Sequence, residues 1–300
     1  MAGEVISAYG LTKHYGSTVG VRDLTFTVQA GEVFGYLGLN GAGKTTTIRL
    51  LLDLIRPSAG HVEVFGLDVR TGGRAIRERV GYLPGDLRLY ERLTGRDHLR
   101  YFASLRRMCG LGDGERLAAR LELDLDRPVR ALSKGNRQKV GLVLTLMHRP
   151  EILIFDEPTA GLDPLVQQVV SALVREATAG GCTVFFSSHM LSEVQQLADR
   201  VALIRDGKLE LIETVEGLRQ RAFSRVEATF VQEPPSDAFS GIPGVREVDR
   251  HGNTVRLSLR GDVDPLVKAL ARFQLRALDI HEADLEDVFL ELYRSPPDAQ

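Results

Sequence analysis

Apolar and polar positions alternate over residues 4–8 and 22–28, the period-two pattern of strands with one wet face, and both segments are expected at an antiparallel edge. Residues 32–39, EVFGYLGL, are almost continuously apolar and run into glycines, which suits a strand buried on both faces. Ile48, Leu51, Leu52 and Ile55 then recur at i, i+3, i+4 and i+7, a helical stripe that the Arg56–Pro57 step should end. HVEVFGLDV (61–69) and VGYLP (80–84) read as further strands.

The pattern changes between about 87 and 148, where a helical subdomain is expected; Thr94 and Asp97 form a loose capping box ahead of HLRYFASLRRM. Strand and helix then alternate: EILIFDEP (151–158), a helix over 164–178, CTVFFSSH (182–189), a helix over 191–198, and RVALIRDGKL (200–209). Such alternation predicts a mostly parallel sheet covered on both faces. The character changes again at 215–225. Short strands are expected at 226–231, 246–250 and 254–260, then a helix opened by Asp264–Pro265 and running to about 273. A strand at 275–281 follows, and a last helix with Leu285, Val288, Phe289 and Leu292 on one face. Residues 1–220 and 221–300 are therefore expected to be separate domains, the second a small α+β fold.

Composition narrows the functional classes. A chain of 300 residues with 43% hydrophobic and 26% charged residues has the profile of a globular protein able to bury a core. A net charge of −2 supplies no global basic field for nucleic acid or anionic lipid. Cys109 and Cys182 are too few for a disulfide framework and are expected as small hydrophobes in a reducing compartment. The N-terminus lacks a basic region followed by an apolar core, so no signal peptide is expected. The longest apolar runs, such as VGLVLTLM at 140–147, fall far short of the ~20 residues of a membrane helix, so any membrane role is exercised from the side.

Three stretches carry chemistry. GLNGAGKT fits G-x-x-x-x-G-K-[ST] with Gly38, Gly43, Lys44 and Thr45, between an expected strand and an expected helix. The glycines let backbone N–H groups turn toward phosphates, and the helix adds its positive N-terminal end. Lys44 is placed to reach the β- and γ-phosphates and Thr45 to put its hydroxyl on Mg²⁺. ILIFDEP (152–158) is an apolar strand ending in two carboxylates: Asp156 suits the Mg²⁺ shell, and Glu157 suits orienting or deprotonating the attacking water. LSKGN (132–136) has two readings, a serine cap with no ligand, or half of a phosphate site completed by another molecule. In the second, Ser133 and the amide of Gly135 clasp a γ-phosphate held elsewhere.

With these stretches in order, residues 4–215 resemble the ATP-binding subunits of ABC transporters. GLNGAGKTT is similar to the family's first phosphate motif, ILIFDEP to its acidic motif, and LSKGN to its signature, with Lys134 and Asn136 as departures. GLDP (161–164) resembles the dimer-contacting loop; by itself it is Asp163 capping a helix with Pro164 at the first position. SSHM (187–190) resembles the switch segment, which implies that His189 contacts the γ-phosphate and the attacking water. The resemblance implies nucleotide contacts from Gly38, Leu39, Asn40, Gly41, Ala42, Gly43, Lys44, Thr45 and Thr46, and from Ser133, Gly135, Asn136 and Asp163 of the opposite copy. It also implies that Tyr15 stacks on adenine; alone, Tyr15 is an exposed tyrosine at a strand end. The family usually carries Gln after the strand equivalent to VGYLP, and here Gly85 and Asp86 stand there. Asp86 is open to two readings, a Mg²⁺-water ligand or a turn residue.

The fold implied is an α/β P-loop NTPase core with a parallel sheet, an antiparallel edge subdomain and a helical subdomain, plus the small C-terminal α+β domain. YLPGDL and LEDVFLELY look most like the drug- and antibiotic-exporter subfamily. The implied function is an ATPase subunit that binds ATP and Mg²⁺, pairs head to tail with a second copy, and powers integral-membrane permease subunits on separate chains at the cytoplasmic face. The C-terminal domain would steady the dimer, regulate it, or only cap the ATPase. The competing expectation is an ATPase of the same type acting on nucleic acid or ribosomes without a permease; the charge balance argues against nucleic acid.

Overall fold

The apolar run expected as a buried strand becomes β3 (Val33–Leu37), all five residues of which are buried. It lies inside a six-stranded sheet of order β10 (Lys208–Thr214), β9 (Arg200–Arg205), β3, β8 (Thr183–Ser188), β7 (Ile152–Asp156), β6 (Val80–Leu83). The strands from β9 to β6 run parallel. In register, Leu37 faces Ser188 and Asp156 faces Ser187, so the loops leaving β3, β7 and β8 emerge side by side. That carboxyl edge is where open parallel sheets place their ligands.

This computed structural model describes residues 3–221 and 223–281, in two compact units, Met1–Glu213 and Thr214–Gln300. In the first unit, Phe26, Phe34, Tyr36 and Phe185 pack ring against ring with centroids 5.3–6.3 Å apart. Each such buried ring contributes roughly 1.5–3 kcal/mol. The Tyr36 hydroxyl pairs with Thr47 Oγ1 at 3.1 Å, and burial pushes its phenol above the usual range.

A second sheet, antiparallel, has the order β2 (Thr18–Gln29), β1 (Glu4–Tyr15), β4 (Ala59–Val64), β5 (Leu67–Asp68). β1 and β2 are each twelve residues, longer than the alternation suggested. Pairing continues to Tyr15 and Thr18, but burial does not: Lys13 and His14 carry no apolar face to betray the strand.

Helix α1 (Lys44–Leu51) stops short of the expected Arg56. Asp53 takes φ +55°, with Asp53 N–H donating to Leu50 O (3.1 Å) and Leu54 N–H to Arg49 O (2.8 Å). These bonds close the helix in a Schellman motif, with Asp where Gly is usual. The segment 61–69 is not one strand: it turns after Val64, and Asp68 caps an unanticipated helix, α2 (Val69–Arg79), by accepting from Arg70 and Thr71 N–H. The expected helical region holds α3 (Gly95–Leu105), α4 (Gly114–Arg120) and α5 (Lys134–Leu146), and the Thr94–Asp97 capping box is formed. Helices α6 (Pro164–Ala179) and α7 (Leu191–Leu197) complete the unit.

The second unit opens with α8 (Val215–Arg221). Its four-stranded antiparallel sheet has the order β12 (Val245–His251), β13 (Thr254–Leu259), β11 (Ser224–Phe230), β14 (Leu275–His281). Helix α9 (Asp264–Leu270) contributes Leu266 and Leu270 to a core with Val226, Phe230 and Leu257. Asp264 is the first helical residue rather than the cap; Val263 holds the cap position without a side-chain bond. The expected last helix, with Leu285, Val288, Phe289 and Leu292, lies outside the described residues.

Candidate functional site: a phosphate cleft at the carboxyl edge

Between β3 and α1 the chain wraps tightly enough that two positions exclude a side chain. A Cβ at Gly38 would lie 2.6 Å from Ile204 O. One at Gly43, where φ is +111°, would lie 2.8 Å from both Gly20 O and Val21 Cγ1. Gly43 caps α1 without a side-chain bond, and the first turn has no acidic residue, so the helix offers its N–H groups to an anion.

The loop borders a cleft of about 340 Å³ lined by Thr18–Gly20, Leu39–Gly41, Gly43–Thr46, Asp156 and Glu157. Lys44, 7% exposed, donates to Gly38 O (2.7 Å) and Leu39 O (3.3 Å), and its Nζ lies 3.2 Å from Glu157 Oε1. That contact is an ion pair without hydrogen-bond alignment, and Glu157 Oε1 has no hydrogen-bonding partner. Thr45 Oγ1 donates to Asp156 Oδ2 (2.8 Å), and Ser187 Oγ donates to Asp156 Oδ1 (2.6 Å). Glu157 sits at φ +56°, a strained conformation for a residue with a Cβ, held by its N–H donating to Ser187 O and Oγ (both 3.2 Å). His189 Nδ1 is 2.7 Å from Glu157 Oε2.

Thus Lys44, Thr45, Asp156, Glu157 and His189 are gathered from three separate stretches. Thr45 and Asp156 present hard oxygens, the donor type Mg²⁺ takes when substrate phosphates and water fill the rest of its shell. Tyr15, 45% exposed, stands at the cleft rim: a Cβ on Gly20 would meet its ring at 2.8 Å and Thr46 Cγ2 at 3.3 Å. Asp86 is not among the cleft-lining residues. Its carboxylate pairs with Arg88 (3.0 Å), and the residue against Asp156 is Gly85, whose Cβ would lie 3.3 Å from Oδ2.

Ser133, Gly135 and Asn136 line no part of this cleft. Ser133 caps α5, accepting from Asn136 N–H at 3.2 Å, and no acidic residue lies in that first turn. Gly135 packs on the loop that precedes α6, with its Cβ position 3.0 Å from Gly161 O, and Asp163 caps α6 by accepting from Val166 N–H (3.0 Å). Three residues join the site that the motifs did not flag. Ser187 buttresses Asp156; buried Gln138, on α5, donates to Pro158 O (3.1 Å) and Glu157 O (3.4 Å); Glu193, on α7, accepts from Thr159 and Ser188. Gln138 lies just past LSKGN and Ser187 opens SSHM, but only the fold brings their partners near. A larger cleft of about 510 Å³ beside α4 and α6 contains none of the candidate site residues. Its acids are already paired, Asp113 with Arg149 and Arg116, Glu176 with Arg120, and Glu151 with Arg79.

Known proteins share this arrangement. The profile of the family described as ABC transporter matches residues 21–160. The chain is 34% identical to the daunorubicin resistance ATP-binding protein DrrA3 of Streptomyces coeruleorubidus, over 97% of this chain and 96% of that protein. It is 38% identical to the bacitracin transport ATP-binding protein BcrA of Bacillus licheniformis, over 68% of each. A solved ATP-binding subunit of an ABC transporter superposes with a TM-score of 0.67 at 30% identity, covering 72% of this chain and 92% of that one. With 34% identity along nearly the whole length of a relative, the chain belongs to the ABC transporter family as one of its ATP-binding, ATP-hydrolysing subunits.

Proposed function

We propose that this subunit is the motor of an exporter: two copies close head to tail on ATP, each site built from Lys44 of one copy and Ser133 of the other. The observation that carries the proposal is the separation within one chain: the cleft gathers Lys44, Thr45, Asp156 and Glu157 but not Ser133, Gly135 or Asn136. The α5 N-terminus is shaped for an anion and has none from its own chain to hold.

The residues divide the chemistry. Lys44 now sits on Glu157; a triphosphate in the loop competes for it and frees the carboxylate. Thr45 and Asp156 would hold a Mg²⁺ ion, which would supply charge neutralisation at the phosphate oxygens. Glu157 orients the attacking water and accepts its proton, and His189 fixes the Glu157 carboxylate through Nδ1. Tyr15 covers the adenine at the rim. ATP drives the change because it binds the closed pair better than the open one. The permease lies on separate membrane-embedded chains docked on the helical region, which places this subunit at the cytoplasmic face. Among the described residues no helix is long and apolar enough to cross a membrane itself. The relatives named for daunorubicin resistance and bacitracin transport support a drug or antibiotic as the exported class.

Glu157→Gln tests the reading. It is expected to bind ATP near wild-type affinity, to hydrolyse it ~10²–10⁴-fold more slowly, and to accumulate a dimer by light scattering. A variant that stays monomeric in saturating ATP, or turns over at the wild-type rate, overturns it.

A further inference from the structure

Glu193 is a buried carboxyl that the roles above leave unused. It is 8% exposed, in the first turn of α7. One carboxyl oxygen takes a short hydrogen bond from Thr159 Oγ1, two residues beyond Glu157. The other takes Ser188 Oγ at 2.5 Å, one residue before His189. Ser188 Oγ in turn accepts from Met190 N–H (2.9 Å), the residue on the far side of His189. Thr159 is 4% exposed and Ser188 0%, so both bonds are shielded from bulk water.

We propose that Glu193 is a positioning residue for ATP hydrolysis: by bridging Thr159 and Ser188 it locks the loop carrying Glu157 to the loop carrying His189. The inference rests on the assignment of Glu157 as the base. On the strand side the two loops are already tied, through Glu157 N–H to Ser187. Glu193 supplies the tie on the other side, and between the two the 2.7 Å contact of Glu157 with His189 is held. Glu157 stands at a positive φ that its own local sequence does not favour, so its aim depends on such ties. Burial raises the Glu193 carboxyl above its usual range; the nearby Glu157 carboxylate adds to the rise, and the Ser188 bond and His189 oppose it. A hydroxyl can turn to accept as well as donate, so glutamine can span Thr159 and Ser188 with its carbonyl oxygen toward one and its NH2 toward the other.

The test uses the full chain and reads steady-state ATP hydrolysis and equilibrium ATP binding, well below the melting temperature of every variant. Glu193→Ala is expected to lower kcat by about 10–100-fold, the scale of an ångström of misplacement, with the ATP dissociation constant within about threefold. Glu193→Gln is expected to restore kcat to within a few-fold of wild type, because the bridge and not the charge matters. Thr159→Val, which removes one bond at constant shape, is expected to fall between them and decides the matter if Glu193→Ala does not fold. Unchanged kcat in the alanine or valine variant, or a glutamine variant as slow as alanine, overturns the inference. So does a loss of ATP binding that matches the loss of kcat, the signature of a merely structural role. If Glu157→Gln also turns over at full rate, the error lies in the assignment of the base and not in the bridge.

Discussion

His148 closes α5 against β6, its Nε2 3.4 Å from Val80 O and its Nδ1 buried without a partner. Burial, reinforced by the Arg106 guanidinium, lowers its pKa to about 4, against weaker opposition from the backbone carbonyl groups around it, Val80 O among them. The unfolded chain regains an ordinary imidazole near 6.5, so between those values the unfolded state binds more protons. Stability is therefore complete above the unfolded value and falls as pH drops toward 4. Thermal melts are expected to show Tm falling between pH 7 and pH 5, and His148→Gln is expected to flatten that decline; an equal slope in the variant would remove His148 from the account. At this scale the sequence is legible where a residue acts through its own type and spacing, as Lys44, Thr45, Asp156 and Glu157 do. It is silent where a residue acts through a distant partner: Gln138 finds its partners 19 and 20 positions away and Glu193 finds Thr159 34 away, across strands whose adjacency only the sheet order sets. Asp86 shows the converse. Its type suits a metal, yet a neighbouring Arg88 offers the nearer charge.

Among elements, those with both a periodic stripe and a chemical cap were readable. α6 begins at Pro164 behind Asp163, and α3 begins behind Thr94, as their cap signals require. In α3 the box is reciprocal: Thr94 Oγ1 accepts from Asp97 N–H at 3.1 Å, and Asp97 Oδ2 accepts from Thr94 N–H at 3.0 Å. Thr94→Ala is expected to cost about 1 kcal/mol, seen as a lower urea midpoint with unchanged slope, while ATP affinity stays the same because Thr94 lines no part of the cleft. A loss of affinity would mean that α3 is coupled to the phosphate site. The elements missed were those whose signals were contradictory. α2 carries Gly72 and Gly73 in its interior, each costing about 1 kcal/mol against alanine, so its apolar residues alone did not argue for a helix. α1 ends on Asp53 in a left-handed conformation, and Ile55, which continued its stripe, instead packs on the core from beyond the helix.

In the assembled molecule, the question is whether Ser133 serves its own Lys44 or another copy's, and mixing inactive chains answers it. Lys44→Ala lacks the cation that grips phosphate; Ser133→Ala lacks the cap hydroxyl at the α5 N-terminus, so each alone is expected to hydrolyse ATP at a small fraction of the wild-type rate. A head-to-tail pair made of one chain of each kind contains one site with both defects and one site with neither. Random pairing at equal mixing gives mixed dimers half the time, each with one intact site, so recovery of at most about a quarter of wild-type activity is expected. The recovery should rise with total protein and vanish on dilution below the dimer's dissociation constant. If Ser133 served the cleft of its own chain, every chain in the mixture would be defective and nothing would be recovered. The α5 terminus points to recovery. Its cap serine and open first turn lie outside the cleft that holds Lys44, and Gly135 is packed on Gly161, so within one chain both halves of the chemistry are present and kept apart.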